Sequence, residues 1–203
     1  MCDGIAADYA EKQKYLKFTH NFDDDILSAS RNMAKRYRCN TSHGQKIENY
    51  ALQIFDAMKK FHGLGTRERL LLQIASILHD CGKFISLRDS SACAYNIIMA
   101  TEIIGLSHAE REIVAEVVRC NLDAFRYGEG SIRAGKLTAM LRLANAMDRS
   151  HHGRLDDGKL QVKGNKLIIS TSYAGNLALE TMAVEDKADF FEEMFGIRPE
   201  IRQ

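Results

Sequence analysis

His79 and Asp80 are adjacent in the apolar run Ile77-Leu78-His79-Asp80-Cys81-Gly82-Lys83. An imidazole and a carboxylate in a segment destined for a core must be paired, hydrogen-bonded or bound to a metal, because bare burial is costly. His43 upstream and Asp148 downstream could complete a site. Two neutral imidazoles and two carboxylates form a mixed nitrogen and oxygen donor set, which suits a divalent metal. For the dyad taken alone, a salt-bridged or capping His-Asp is the plain alternative.

The segments that must position these residues read as helices. From Thr41 to Phe61, apolar residues at Ile47, Tyr50, Ala51, Ile54, Met58 and Phe61 trace one helical stripe, and His43 lies on it, four residues before Ile47. From Thr66 to about Phe84 the stripe is Leu70, Leu71, Ile74, Ala75, Leu78 and Gly82. Thr66 reads as its N-cap, Glu68 falls in the first turn, and His79-Asp80 lies near the C-terminal end. From about Ser131 to Ser150, Leu137, Met140, Leu141 and Ala144 place Asp148 on an inward face. Three helices thus each turn metal-competent side chains inward, a common way to build a metal site in a helical core. His20, His62 and His108 have no such partners and read as surface or capping residues.

The order His43, His79-Asp80, Asp148 resembles the HD-domain metal phosphohydrolases, and Lys83 follows as in members whose motif reads His-Asp-x-Gly-Lys. More narrowly, the chain resembles the C-terminal half of the exopolyphosphatase / guanosine pentaphosphate phosphohydrolase family. Ala34-Lys35-Arg36-Tyr37, Ser76-Ile77-Leu78-His79-Asp80, Glu102-Ile103-Ile104-Gly105-Leu106-Ser107 and the run Leu141 to Ser150 carry the match, and Phe190-Phe191-Glu192 and Phe195-Gly196 fit it. The opening Asp3-Gly4-Ile5-Ala6 resembles the end of the family's N-terminal half, which leads to the expectation that this chain is a fragment of a longer protein.

The resemblance implies an HD-like helical bundle holding a divalent metal (Mn, Fe, Zn, Ni or Mg) on His43, His79, Asp80 and Asp148. Lys83 and Asp80 are its implied catalytic residues. It also leaves two function classes open. One is a phosphohydrolase acting on polyphosphate, a nucleotide or another phosphate ester. The other is a polyphosphate-binding and dimerisation module whose catalysis resides in a missing actin-like N-terminal half. The chain departs from its relatives in two places. Ser90-Ser91-Ala92-Cys93-Ala94-Tyr95 and Arg119-Cys120-Asn121 lack the histidines that two-metal members carry there, so one metal is expected. Cys93 and Cys120 read as space-filling thiols.

From Arg119 to Arg154 basic residues far outnumber acidic ones, although the whole chain carries a net charge of only +1. His151 and His152 add conditional positive charge. Arg142 and Arg149 are one heptad apart and share a helix face with Asp148 beside them. Arginine forks match phosphate oxygens, so Arg119, Arg142 and Arg149 are the candidate phosphate contacts, while Arg126 and Arg133 read as solvated. No specific nucleic-acid motif is present.

The 203 residues, 45% of them hydrophobic, can bury a real core. The sequence contains neither a membrane-length apolar run nor the pattern of a signal peptide. Five cysteines without paired spacing fit a reducing cytoplasm. An N-terminal arm to residue 22, an HD-like helical domain over 23–153 and a small α+β subdomain over 154–203 are expected. Asp23-Asp24-Asp25 opens a helix, Ser107-His108-Ala109-Glu110 forms a capping box, and Gly128, Gly130 and Gly135 mark a loop. In the tail, two strands flank Gly164-Asn165, a helix runs from about Val184 to Phe195, and Ile197 to Ile201 with Pro199 reads as an edge strand. The expected class is mainly α with a hairpin-helix-strand appendage.

Overall fold

The computed structural model describes residues 22–125 and 131–203. Residues 1–21 of the N-terminal arm, His20 among them, and Arg126, Gly128 and Gly130 lie outside the described residues, while Phe22 at the arm's expected end already belongs to a helix. Helix α1 (Phe22–Arg36) opens on Asp23, Asp24 and Asp25 and closes on Lys35 and Arg36, matching charge to both ends of the helix dipole. Arg38, with φ of 49°, closes it in the left-handed conformation more often given to glycine. Helix α2 (Thr41–Ala57) is capped by Asn40, whose side chain accepts the His43 N–H. The predicted continuation to Phe61 breaks at Met58, and a short helix α3 (Lys59–His62) ends on Gly63 at φ 64°.

Of the two places the sequence leaves open for His62, surface or cap, the structure shows the second. The residue is wholly buried, donating from Nε2 to the Phe55 carbonyl and accepting the Leu64 N–H at Nδ1, and so it ties the two sides of the break together. Helix α4 (Thr66–Leu78) also differs at its start. Gly65 is the N-cap, and its N–H donates to Glu68 Oε2 at 2.8 Å, leaving Thr66 as the first helical residue. A 3-10 turn follows over Cys81–Phe84. Helices α5 (Ser90–Ala100), α6 (His108–Cys120) and α7 (Ile132–Met147) complete the bundle.

The Ser107 capping box forms as expected: Ser107 Oγ accepts the Glu110 N–H and Glu110 accepts the Ser107 N–H. Arg67 reaches Glu110 from α4 at 2.6 Å. This guanidinium, reinforced by Ser107, holds the Glu110 carboxyl down at about 2 against an ordinary 4.5. A depressed carboxyl stabilises the fold above its unfolded value, and that contribution is lost as pH falls through the folded one. Glu110→Gln should therefore cost on the order of 1 kcal/mol near neutrality, after solvent screening of this partly exposed pair. The gap to the wild type should close between pH 4.5 and about 2 in denaturant titrations. A gap that stays constant over that range would contradict the assignment.

Strands β1 (Lys159–Lys163) and β2 (Lys166–Ser170) pair antiparallel around Gly164-Asn165. Gly164 has φ of 60°, which suits a tight hairpin. Helix α8 (Ala178–Phe195) starts earlier than the sequence stripe indicates, because Leu179 and Met182 in its first turns are exposed and break the periodicity. Strand β3 (Arg198–Arg202) returns parallel to β2, and Pro199 stands on that edge of the three-stranded sheet, opposite Leu167. Leu167, Ile169, Val184, Phe191 and Ile197 join Ile54, Leu71, Leu137 and Met140 in one apolar core. The fold is mainly α with a small α+β appendage. Among the described residues no helix is long and apolar enough to cross a membrane.

Candidate metal centre

Three helix ends meet around one buried cluster. Helix α2 packs on both α4 and α7. Its first turn supplies His43, the C-cap of α4 supplies His79, and the C-cap of α7 supplies Asp148. All three are buried, at 4%, 5% and 1% exposure, while Asp80 at the start of the 3-10 turn is less enclosed. The donors therefore sit where helices end, so backbone groups at those ends can orient them.

His43 Nδ1–H donates to Asp148 Oδ2 at 2.7 Å, and the Gly153 N–H donates to Asp148 Oδ1 at 2.9 Å. His79 Nδ1–H donates to the Ser76 carbonyl at 2.7 Å. That bond places the lone pair of a neutral imidazole on Nε2, the usual arrangement for a metal-ligating histidine. His79 Nε2 is buried and has no hydrogen-bond partner, and it lies 3.4 Å from Asp80 Oδ1. Burial pushes the His79 imidazole down, towards the neutral form that ligates. Burial alone would raise Asp80, but a positive charge on His79 when it is protonated, and the Lys83 ammonium in either case, act against it and lower the carboxyl. For Asp148 the His43 and Gly153 hydrogen bonds likewise overcome burial and lower it.

These residues fit a divalent ion. A buried lone pair without a partner faces an ionised carboxylate, and a second imidazole and carboxylate stand beside them. Donors bound at about 2.1 Å and at right angles on one ion lie about 3 Å apart, and the 3.4 Å between His79 Nε2 and Asp80 Oδ1 is close to that spacing. The donor atoms of His43, His79 and Asp80 lie within 4.8 Å of one another. So do those of His43, Asp148 and His151, and His43 is common to both groups.

A family model described as Ppx/GppA phosphatase, domain III, matches residues 27–186, a span that contains every one of these donors. The chain belongs to the Ppx/GppA phosphatase family. It is also 24% identical over 157 residues to the guanosine-5'-triphosphate,3'-diphosphate pyrophosphatase of Photobacterium profundum. That match covers 74% of this chain and 32% of the relative, so the chain corresponds to about a third of the relative's length.

In this Ppx/GppA domain III the basic residues fall into separate places. Lys83 Nζ lies 2.7 Å from Asp80 Oδ1 and is half exposed. It lines a cavity of about 210 Å³ with Tyr37, Arg38, Asn40 and Asp80. Arg142 and Arg149 line a second cavity, of about 520 Å³, together with Lys187. Arg149 is exposed there, whereas Arg142 donates from Nε to the Cys120 carbonyl at 2.7 Å and from Nη2 to the Asp123 carbonyl. Arg119 joins neither cavity lining. It forks onto Glu116 at 2.8 Å and lies over the Tyr95 ring.

Two residues near this donor cluster have no signal in the sequence pattern. Arg38 and His151 owe their positions to left-handed backbone at φ 49° and 58°, which no hydrophobic periodicity marks. Cys93 and Cys120 stand outside both donor groups, and Cys120 Sγ instead donates to Glu116.

Proposed function

We propose that this Ppx/GppA domain is an HD-type module of a phosphohydrolase. On this reading it holds one divalent metal with His43, His79, Asp80 and Asp148 and takes up a phosphate-rich ligand, either polyphosphate or nucleotide phosphate. The observation that carries the reading is the buried, unpartnered His79 Nε2, 3.4 Å from the Asp80 carboxylate and in one donor group with the His43 imidazole. A bound divalent ion supplies Lewis acidity and lowers the pKa of its water.

The chain's own groups serve the ligand. Lys83 is braced against Asp80 and, with Arg38, presents positive charge to the cavity beside the centre, where charge on a phosphoryl group would be neutralised. Asp80 both orients that lysine and remains ionised to face the metal. Arg149 and Lys187, in their cavity, supply a second anchoring point for a chain of phosphates.

A second reading is favoured by one observation. Where two-metal relatives carry histidines, this chain has Ser90 to Tyr95 and Arg119-Cys120-Asn121. The domain would then bind polyphosphate and dimerise, with cleavage performed by another part of a longer protein. Orthophosphate release from polyphosphate, measured with metal-loaded and chelated protein, separates the two. Release that requires the metal supports the first reading, and binding without release supports the second. Under both, Arg149→Glu should weaken polyphosphate binding roughly tenfold at low salt, with the difference shrinking as salt rises. Equal binding by variant and wild type at every salt concentration would remove Arg149 from the ligand site.

A further inference from the structure

We infer that His151 is an additional ligand of the divalent metal, on the His43 and Asp148 side of the centre; this rests on the metal reading above. His151 lies in the turn that follows α7, three residues after Asp148. Its φ of 58° is a conformation that a histidine adopts only at a cost in energy and that persists when the surroundings over-determine it. Here they do. The His151 N–H donates to the Asp148 carbonyl at 2.9 Å, and the Gly153 N–H donates to the Asp148 side chain. The Ser150 N–H donates to Glu180 Oε1 at 3.3 Å, and Glu180 is wholly buried on α8. The appendage therefore braces the turn from below.

The outcome of this bracing is directional. The His151 ring centroid lies 3.9 Å from that of His43, closer than the 5.4 Å between His43 and His79. A donor atom of His151 falls within 4.8 Å of donors on both His43 and Asp148. The adjacent His152 is turned elsewhere, with Nδ1 on the Ser150 carbonyl, and belongs to neither donor group. The plain alternative is that the His151 ring merely covers His43. Any flat ring would do that equally well, whereas ligation needs the imidazole nitrogen. With His151 included, the two donor groups that share His43 hold five residues, and a six-coordinate ion bound by all five would retain one position for a water or a phosphate oxygen.

The test is a titration of the metal-free full chain with Co²⁺, following its visible absorption. His151→Gly removes the ring and relieves the backbone, while His151→Phe keeps a covering ring without a donor. Wild type and His152→Ala should each bind one equivalent with the same spectrum. Both His151 variants should bind at least about tenfold more weakly, the lower end of what loss of even an outer partner costs, and with altered bands. Unchanged affinity and spectrum in both His151 variants would overturn the inference and leave the four-ligand reading standing. Absence of Co²⁺ binding by the wild type would overturn both.

Discussion

Replacing Gly82 with alanine should destabilise the protein by about 3 kcal/mol, the upper range for overpacking in a closed site. For a chain of this size that is a fall of roughly 6–12 °C in the thermal midpoint. A Cβ on Gly82 would overlap the Ser90 carbonyl oxygen and stand 2.6 Å from the Ala94 backbone nitrogen. Both are backbone atoms at the start of α5, so neither can swing away as a flexible side chain would. The 3-10 turn must pack this closely because it carries Lys83 and follows directly on His79-Asp80. Relief of the clash would move that turn, so the variant should also lose metal affinity. A Gly82→Ala protein with the wild-type melting temperature would show that the turn and α5 can separate freely, and the account of why glycine stands in the motif would fail.

His43→Ala should cost the metal-free protein about 3 kcal/mol, as expected when one member of a buried polar pair containing a charge is removed. The Asp148 side chain is fully enclosed, and without the imidazole its Oδ2 loses the His43 hydrogen bond while Oδ1 keeps the Gly153 N–H. The cost thus lies mainly in the carboxylate left behind. Adding Asp148→Asn to His43→Ala should recover part of the loss, because a neutral amide is less costly to bury than an unpaired charge. Chemical denaturation of the two single variants and the double variant measures this coupling. Strict additivity would mean that the two side chains do not depend on each other in the absence of metal.

The parts of this molecule legible in its sequence are those governed by periodicity or by local chemistry. His43 and Asp148 are buried and 2.7 Å apart, and both lie on stripes whose apolar members line the core. The Ser107 capping box, the hairpin at Gly164-Asn165 and the edge position of Pro199 each follow from a rule that acts over a few residues. Features that depend on a local break or on long-range packing are not legible. His62 is buried because the helix stops at Met58, and a helix read straight through to Phe61 gives no reason for that. The N-cap at Gly65 rests on the Glu68 side chain reaching back, a bond to which Thr66 makes no contribution.

The arginines show the same limit. Charge clustering points to Arg119 and Arg142, but whether a guanidinium meets a phosphate, a glutamate or a carbonyl depends on which loop lies beside it. Glu116 holds Arg119 here, and the Cys120 and Asp123 carbonyls hold Arg142. In the sequence His151 adds only conditional charge, since its place beside His43 depends on one left-handed residue in a turn braced by α8.

The most direct test of the metal centre is elemental analysis of protein purified without chelator or added metal, alongside the His79→Ala/Asp80→Ala double variant. The donor geometry predicts close to one divalent transition metal or magnesium per wild-type chain, and none in the variant. Equal metal content in the two proteins, or no metal in the wild type even after reconstitution, would contradict it.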